Sequence, residues 1–151
     1  MRLVSELKKK DLIGKRVLVR ADFDVPIKNG VIVDDSRLER SLPTIKFLLK
    51  AGAKVIVLAH LGQRVESLRP VERWFKQKIK NKNLTVLENL RQDPREEAND
   101  LQFTKELAKR GDIYINDAFA ASHREHASIV RLPKLLPAYA GLHLAQEVKV
   151  L

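Results

Sequence analysis

The strongest constraint on the fold is an alternation. Four short runs rich in β-branched and aliphatic residues, Arg16 to Phe23, Lys54 to Leu58, Leu84 to Leu87 and Ile113 to Ile115, are separated by stretches long enough to hold a helix. Parallel neighbours cannot be joined by a tight turn and need a crossover of about a dozen residues or more. Strand, helix, strand, helix at this spacing therefore predicts a parallel sheet wrapped by helices on both faces, a three-layer α/β/α architecture. In such sheets ligands bind outside the C-terminal ends of the strands.

The stretches between the runs fit this plan. Asp24-Val25-Pro26 stops the first strand, because proline cannot donate to a sheet ladder, and Asn29-Gly30 between Ile27-Lys28 and Val31-Ile32-Val33 has the chemistry of a tight hairpin. Asp34-Asp35-Ser36 can satisfy the free N–H groups of a helix start, and Leu38, Leu42, Ile45, Leu48 and Leu49 recur at helical spacing up to Gly52. Pro43 lies inside that pattern, which predicts a helix start nearer Leu42 or a kink there. Pro70 opens a second helix through Val71, Trp74, Phe75 and Ile79; a third runs from about Asn99-Asp100 to Arg110, where Gly111 provides the cap. Ser128 to Leu136 reads as a short helix stopped by Pro137, and Ala145 to Leu151 as the beginning of another. The class is Rossmann-like α/β.

A chain of 151 residues with 44% hydrophobic content is long enough for one core, so residues 1–151 are expected to form a single domain. Without cysteine neither a disulfide framework nor a thiolate metal site is available. No apolar run approaches membrane-spanning length, which favours a soluble, cytoplasmic protein without a membrane partner. The net charge of +10 implies an anionic ligand or partner. The charge is spread along the chain and aromatics are only 5%, leaving few stacking platforms for a nucleic acid.

At the predicted C-terminal edge the residue types converge. Asn116 to Ser128 combines His123, Arg124 and His126 with small alanines that give a ligand room; Arg91 and His60 follow other strands, and the helix after the first strand brings Arg37 near. Guanidinium groups bind phosphate or carboxylate through paired hydrogen bonds, and several gathered together need an anion to neutralise them. No Gly-x-Gly-x-x-Gly or Gly-x-x-x-x-Gly-Lys-Ser/Thr cradle for a nucleotide is present, and the histidines lack a metal-ligand spacing.

Six motifs in order, Gly14 to Pro26, Asp35-Ser36-Arg37, Ser41 to Ile45, His60-Leu61-Gly62, Leu87 to Arg91, and Asn116 to Phe119 with His123-Arg124, resemble phosphoglycerate kinase. The match runs over nearly the whole chain but corresponds to the N-terminal half of that family, so the nucleotide-binding lobe is expected to be absent. The resemblance implies a substrate-binding lobe for 3-phosphoglycerate or 1,3-bisphosphoglycerate in glycolysis, inactive alone. Arg37 would be catalytic and Asp22, Phe23, Asp24, Arg37, His60, Leu61, Gly62, Gln63, Arg91 and Arg124 would bind substrate, with Arg64, His123 and His126 in support. It further implies no metal or cofactor on this chain, Mg-ATP or Mg-ADP on a C-terminal lobe supplied in cis or trans, and no nucleic acid.

Three features depart from the family pattern. Asp24 stands in place of asparagine, and Gln63 in place of the arginine after His-Leu-Gly, with Arg64 next to it as a substitute. The interval from His60 to Leu87 is short by about one βα unit, which predicts a sheet with one strand fewer unless the first hairpin compensates. Two other readings of the same residues are a stand-alone binding module for phosphorylated metabolites and a basic nucleic-acid-binding protein.

Overall fold

A computed structural model describes residues 2–62 and 66–150. Its centre is a five-stranded parallel sheet made of β1 (Arg16–Arg20), β4 (Lys54–Leu58), β5 (Leu84–Val86), β6 (Ile113–Asn116) and β7 (Ala138–Ala140), in the order β5-β4-β1-β6-β7. Between β4 and β1 lies the hairpin of β2 (Ile27–Lys28) and β3 (Val31–Ile32) in the chain, turned by Asn29 and Gly30 at φ 52° and 75°, the left-handed pair a two-residue hairpin demands.

Alternation along each strand decides what faces where. Val17, Val19, Val55, Val57, Ile113 and Ile115 point to one face, covered by α2 (Ser36–Lys50) through Leu38, Ile45 and Leu48 and by α3 (Arg69–Lys78) through Val71 and Phe75. Leu18, Leu58 and Tyr114 point to the other, covered by Phe103 and Leu107 of α5 (Leu101–Ala108) and Leu132 of α6 (Leu132–Leu135). A one-turn helix α1 (Lys9–Leu12) precedes the sheet, α4 (Pro94–Glu97) precedes α5, and α7 (Leu142–Val150) follows β7 and lies against α2.

The sequence expectations hold for the layers and differ in four places. α2 is helical from Ser36 with Pro43 inside it: the buried face formed by Leu38, Leu42, Ile45 and Leu48 outweighs the one backbone hydrogen bond that proline removes. The stretch expected as one helix over 128–136 is a wide π turn, Ala127–Arg131, followed by α6. The acidic loop after β5 contains α4, capped by Asp93, whose side chain accepts from the Arg95 N–H. β7 was not signalled, since Ala-Tyr-Ala between Pro137 and Gly141 has little β propensity; it forms because it pairs with β6, with Tyr139 opposite Ile115.

The chain leaves β1 toward β4 and β5, then returns to place β6 and β7 on the opposite side. The topological switch therefore falls between β1 and β6, and the loops after β1, β4, β5 and β6 meet at its C-terminal mouth.

Candidate active site

The first wall of the site is built by the loop after β1 and the first turn of α2. Arg37 Nη1 donates to Asp22 Oδ1 and to the Asp24 carbonyl, each at 3.2 Å, and its side chain keeps 42% of its surface exposed. Asp24 Oδ1 accepts the Gly62 N–H at 2.9 Å, which ties the loop after β1 to the loop after β4. Between them Phe23 is fully buried and stacks on Phe75 at 5.1 Å between ring centres. Its side chain belongs to the core, so only its backbone is available to a ligand. Leu61 is buried as well, and Gly62 adopts φ +47° with a Cβ position already filled by the Glu66 carboxylate.

The second wall comes from β4, β5 and β6. Asn89 holds it together: its Oδ1 accepts from Leu61 N and Arg91 N, and its Nδ2 donates to the carbonyls of Leu61 and Glu66, all within 3.1 Å. Arg91 donates to the Gly62 carbonyl at 2.8 Å, while its buried Nε has no partner among the described residues. His126 is half-buried and its Nδ1 is likewise buried and unpartnered. His123 and Arg124 are exposed on the loop after β6, and the field of Arg124 with that of Arg91 and Arg20 reaches both His60 and His126.

His60 is 3% exposed, and burial together with the surrounding arginines pushes its imidazole down to about 3. It is therefore neutral, a donor and not a cation. Its Nε2 lies 3.9 Å from Asp24 Oδ2, too long for a hydrogen bond.

Beneath the site is a fully buried polar chain. Arg20, the last residue of β1, donates from Nε to Ser128 Oγ at 2.8 Å, from Nη1 to the Ala21 carbonyl at 2.5 Å and from Nη2 to His60 Nδ1 at 2.8 Å. Ser128 in turn gives its backbone N–H and its hydroxyl to Glu96, at 2.8 and 2.5 Å. Arg20, Glu96 and Ser128 are all at 0% exposure. Burial lowers the guanidinium pKa of Arg20 from its ordinary value, and Glu96 opposes that shift.

Asp117 closes the base of the first wall. It is 2% exposed, accepts the Leu144 N–H at the start of α7 at 3.1 Å, and shares a small cavity wall with Asp22, Arg37, Arg40 and His143. Burial raises its carboxyl to about 6.

Of the residues singled out from sequence, Asp22, Asp24 and Arg37 meet at one wall, and His60, Arg91 and His126 at the other. Arg124 and His123 stand on the outer loop, and Gln63 and Arg64 lie outside the described residues. The alanines of the Asn116 to Ser128 stretch do not make room for a ligand: Ala118 and Ala121 are buried and pack with Ile129. Sequence reasoning overlooked Arg20, Asn89, Glu96, Asp117 and Ser128. Only Arg20 carries a usable signal, a cation two residues from Leu18 and so on the same covered face of β1. Among the described residues no group of three or more His, Asp or Glu side chains is placed to hold a metal. Two depressions of about 670 and 620 Å³ lie elsewhere, beside Tyr139 and beside α5.

A family model for phosphoglycerate kinase matches residues 7–76 and 67–151. The chain belongs to the phosphoglycerate kinase family. The phosphoglycerate kinase of Roseiflexus sp. (strain RS-1) is 43% identical over 171 residues, covering 93% of this chain and 43% of the relative. That of Dictyoglomus turgidum is 41% identical over 175 residues, covering 98% and 44%. The solved phosphoglycerate kinase of Coxiella burnetii superposes with a TM-score of 0.90 at 34% identity, over 97% of this chain and 43% of that one. The chain thus spans less than half the length of the phosphoglycerate kinases it matches. Both sequence alignments are longer than the 151 residues available, so these phosphoglycerate kinases carry internal positions with no counterpart here. The two family matches overlap at 67–76, the segment that includes most of α3, which locates the shortened region between His60 and β5.

Proposed function

We propose that this chain is the substrate-binding lobe of a phosphoglycerate kinase, a single domain that binds 3-phosphoglycerate or 1,3-bisphosphoglycerate and works with a nucleotide-binding lobe supplied in cis or in trans. The observation that supports this most is that Arg91 Nε and His126 Nδ1, both buried beside the site, have no hydrogen-bond partner among the described residues. Buried polar atoms normally find partners; here a ligand would provide them.

In this reading Arg91 and Arg124 clamp the substrate phosphate, with the neutral Nε2–H of His60 as a third donor. Asp22 and Asp24 border the hydroxyl and carboxylate end, where their oxygens can accept from the substrate hydroxyl. Arg37, exposed and held among the described residues by one 3.2 Å contact to a carboxylate and one to a carbonyl, turns from Asp22 toward the phosphoryl group in flight. In the forward direction an oxygen of the ADP terminal phosphate bonds to the acyl-phosphate phosphorus, the bond from phosphorus to the acyl oxygen breaks, and the carboxylate leaves with the electron pair. The protein forms no bond; it positions the groups and offsets charge. Magnesium bound with the nucleotide on the other lobe would offset the charge of the polyphosphate; no residue of this chain is assigned to hold it.

Calorimetric titration tests the binding half. 3-Phosphoglycerate should bind more tightly than glycerol 3-phosphate, and that more tightly than inorganic phosphate, because each step removes a partner of one wall. Equal affinities for all three would reject the substrate assignment. ATP consumption dependent on 3-phosphoglycerate should require an added nucleotide-binding lobe, and robust turnover by this chain alone would reject the two-lobe reading.

A further inference from the structure

The buried chain under the site has a direction that its chemistry fixes. Arginine has donors and no acceptor. Ser128 Oγ therefore accepts from Arg20 Nε, and its only hydrogen goes to Glu96 Oε2. The same rule applies at the other end: Arg20 Nη2 donates to His60 Nδ1, so Nδ1 carries no proton and the single ring proton sits on Nε2. Glu96 makes this arrangement stable by supplying the negative charge that a fully buried guanidinium needs, and by using both oxygens on Ser128 it sets which way the hydroxyl points. The groups facing His60 are Arg20, Arg91, Arg124, His126 and Asp24. The nearest carboxylate, Asp24, stands 3.9 Å from Nε2, beyond hydrogen-bond reach, and among the described residues no other group takes that proton.

We infer that Glu96 and Ser128, acting through Arg20, are positioning residues that lock His60 as a neutral imidazole with its proton on Nε2, aimed at the open edge of the site. None of the three touches a ligand. Their effect is that His60 gives an anion a hydrogen bond without exchanging a proton with it, because the second ring nitrogen is occupied. That the anion is 3-phosphoglycerate rests on the function proposed above; the state of the ring does not.

The test separates the two. In ¹⁵N-labelled chain, long-range imidazole spectra report which nitrogen bears the proton, and the four histidines are distinguished by the loss of one set in His60→Gln. Wild-type His60 should show a bare Nδ1 and no titration over about pH 5–8. In Ser128→Ala and Glu96→Gln the second tautomer should appear, or a titration near the ordinary value of about 6.5, with 3-phosphoglycerate affinity reduced about threefold to tenfold. A merely structural role would lower stability without changing the tautomer. If Glu96→Gln fails to fold, Ser128→Ala, which removes a single oxygen, carries the test. A protonated Nδ1 in the wild type overturns the inference, as does a folded variant with the wild-type tautomer. If the ring responds as stated but the wild type binds no 3-phosphoglycerate, the substrate reading fails and the relay stands.

Discussion

Two arginines flank the loop after β1 and are held in opposite ways. Arg20 is at 0% exposure, with Nε, Nη1 and Nη2 each donating to a protein acceptor. Arg37 keeps 42% of its side-chain surface exposed and rests on Asp22 and a carbonyl at 3.2 Å. A surface contact of that kind is worth about 0–1 kcal/mol and is easily exchanged, whereas a buried charge deprived of its partner costs several. The same side chain is thus a fixed part of the fold in one place and an available cation in the other. The first sets the state of the site and the second is free to follow charge as it develops.

The largest effect should come from breaking the fixed member. Arg20→Met leaves Glu96 buried without its cation and frees His60 Nδ1, so the loss of stability should be about 3–5 kcal/mol, read as a shift in the urea midpoint. A loss below about 1 kcal/mol would mean that Glu96 is satisfied without Arg20 and that the contrast between the two arginines is one of exposure alone.

Arg37→Ala should do the converse. Stability should change by less than about 1 kcal/mol, while in a chain joined to a nucleotide-binding lobe kcat falls by about 10²–10³ with a smaller change in KM, as for removal of one transition-state donor. Equal losses in kcat and in substrate affinity would make it a binding residue only.

Asp117 extends the comparison to a buried carboxyl that has hydrogen-bond donors around it but no cation paired with it as Glu96 has. Its carboxyl is raised by burial from 3.8 to about 6, and its Oδ2 has no partner among the described residues. Because the folded-state value exceeds the unfolded one, the folded chain keeps a proton that the unfolded chain has lost. The stabilisation is fully present below about pH 4 and disappears as pH rises through about 6. Relative to Asp117→Asn, which retains an acceptor for the Leu144 N–H, the wild type should lose up to about 3 kcal/mol over that window. His60 acts with the opposite sign. Its value is lowered to about 3, so its contribution is present above about pH 6.5 and lost as pH falls toward 3. Subtracting the unfolding curves of wild type and Asp117→Asn removes it. A flat difference would show that Asp117 is not strained by burial.

Much of this organisation is legible in the residues themselves, and the part that is not has a physical reason. Val55 to Leu58 and Ile113 to Ile115 are uniformly apolar because helices cover both faces of the sheet, and that pattern alone orders the layers and puts Arg91, His60 and Arg124 on loops. β7 could not be read, since Ala138 to Ala140 is held by its neighbour and not by its composition. The relay is hidden for another reason. Glu96 sits in a run of charged residues, Arg95 to Glu97, that reads as a solvated loop, and is buried where the π turn carries Ser128 to it, 32 positions away in sequence. Nothing local in either segment marks that meeting.

The smallest expected effect falls where the two walls touch. Asp24 Oδ1 accepts the Gly62 N–H at 2.9 Å and Oδ2 stands 3.9 Å from His60 Nε2, so a second anion faces the donor that the proposed substrate uses. Asp24→Asn conserves the Gly62 contact, because the amide oxygen accepts equally, and turns the other atom into a donor. Removing one like charge near the ligand should tighten 3-phosphoglycerate binding by about threefold to tenfold, which corresponds to about 1 kcal/mol in a partly solvated setting. The tautomer of His60 should not move, since Arg20 fixes it from the opposite side of the ring. Unchanged affinity in the titration would place the ligand away from Asp24, and a changed tautomer would transfer control of His60 from the buried arginine to the rim.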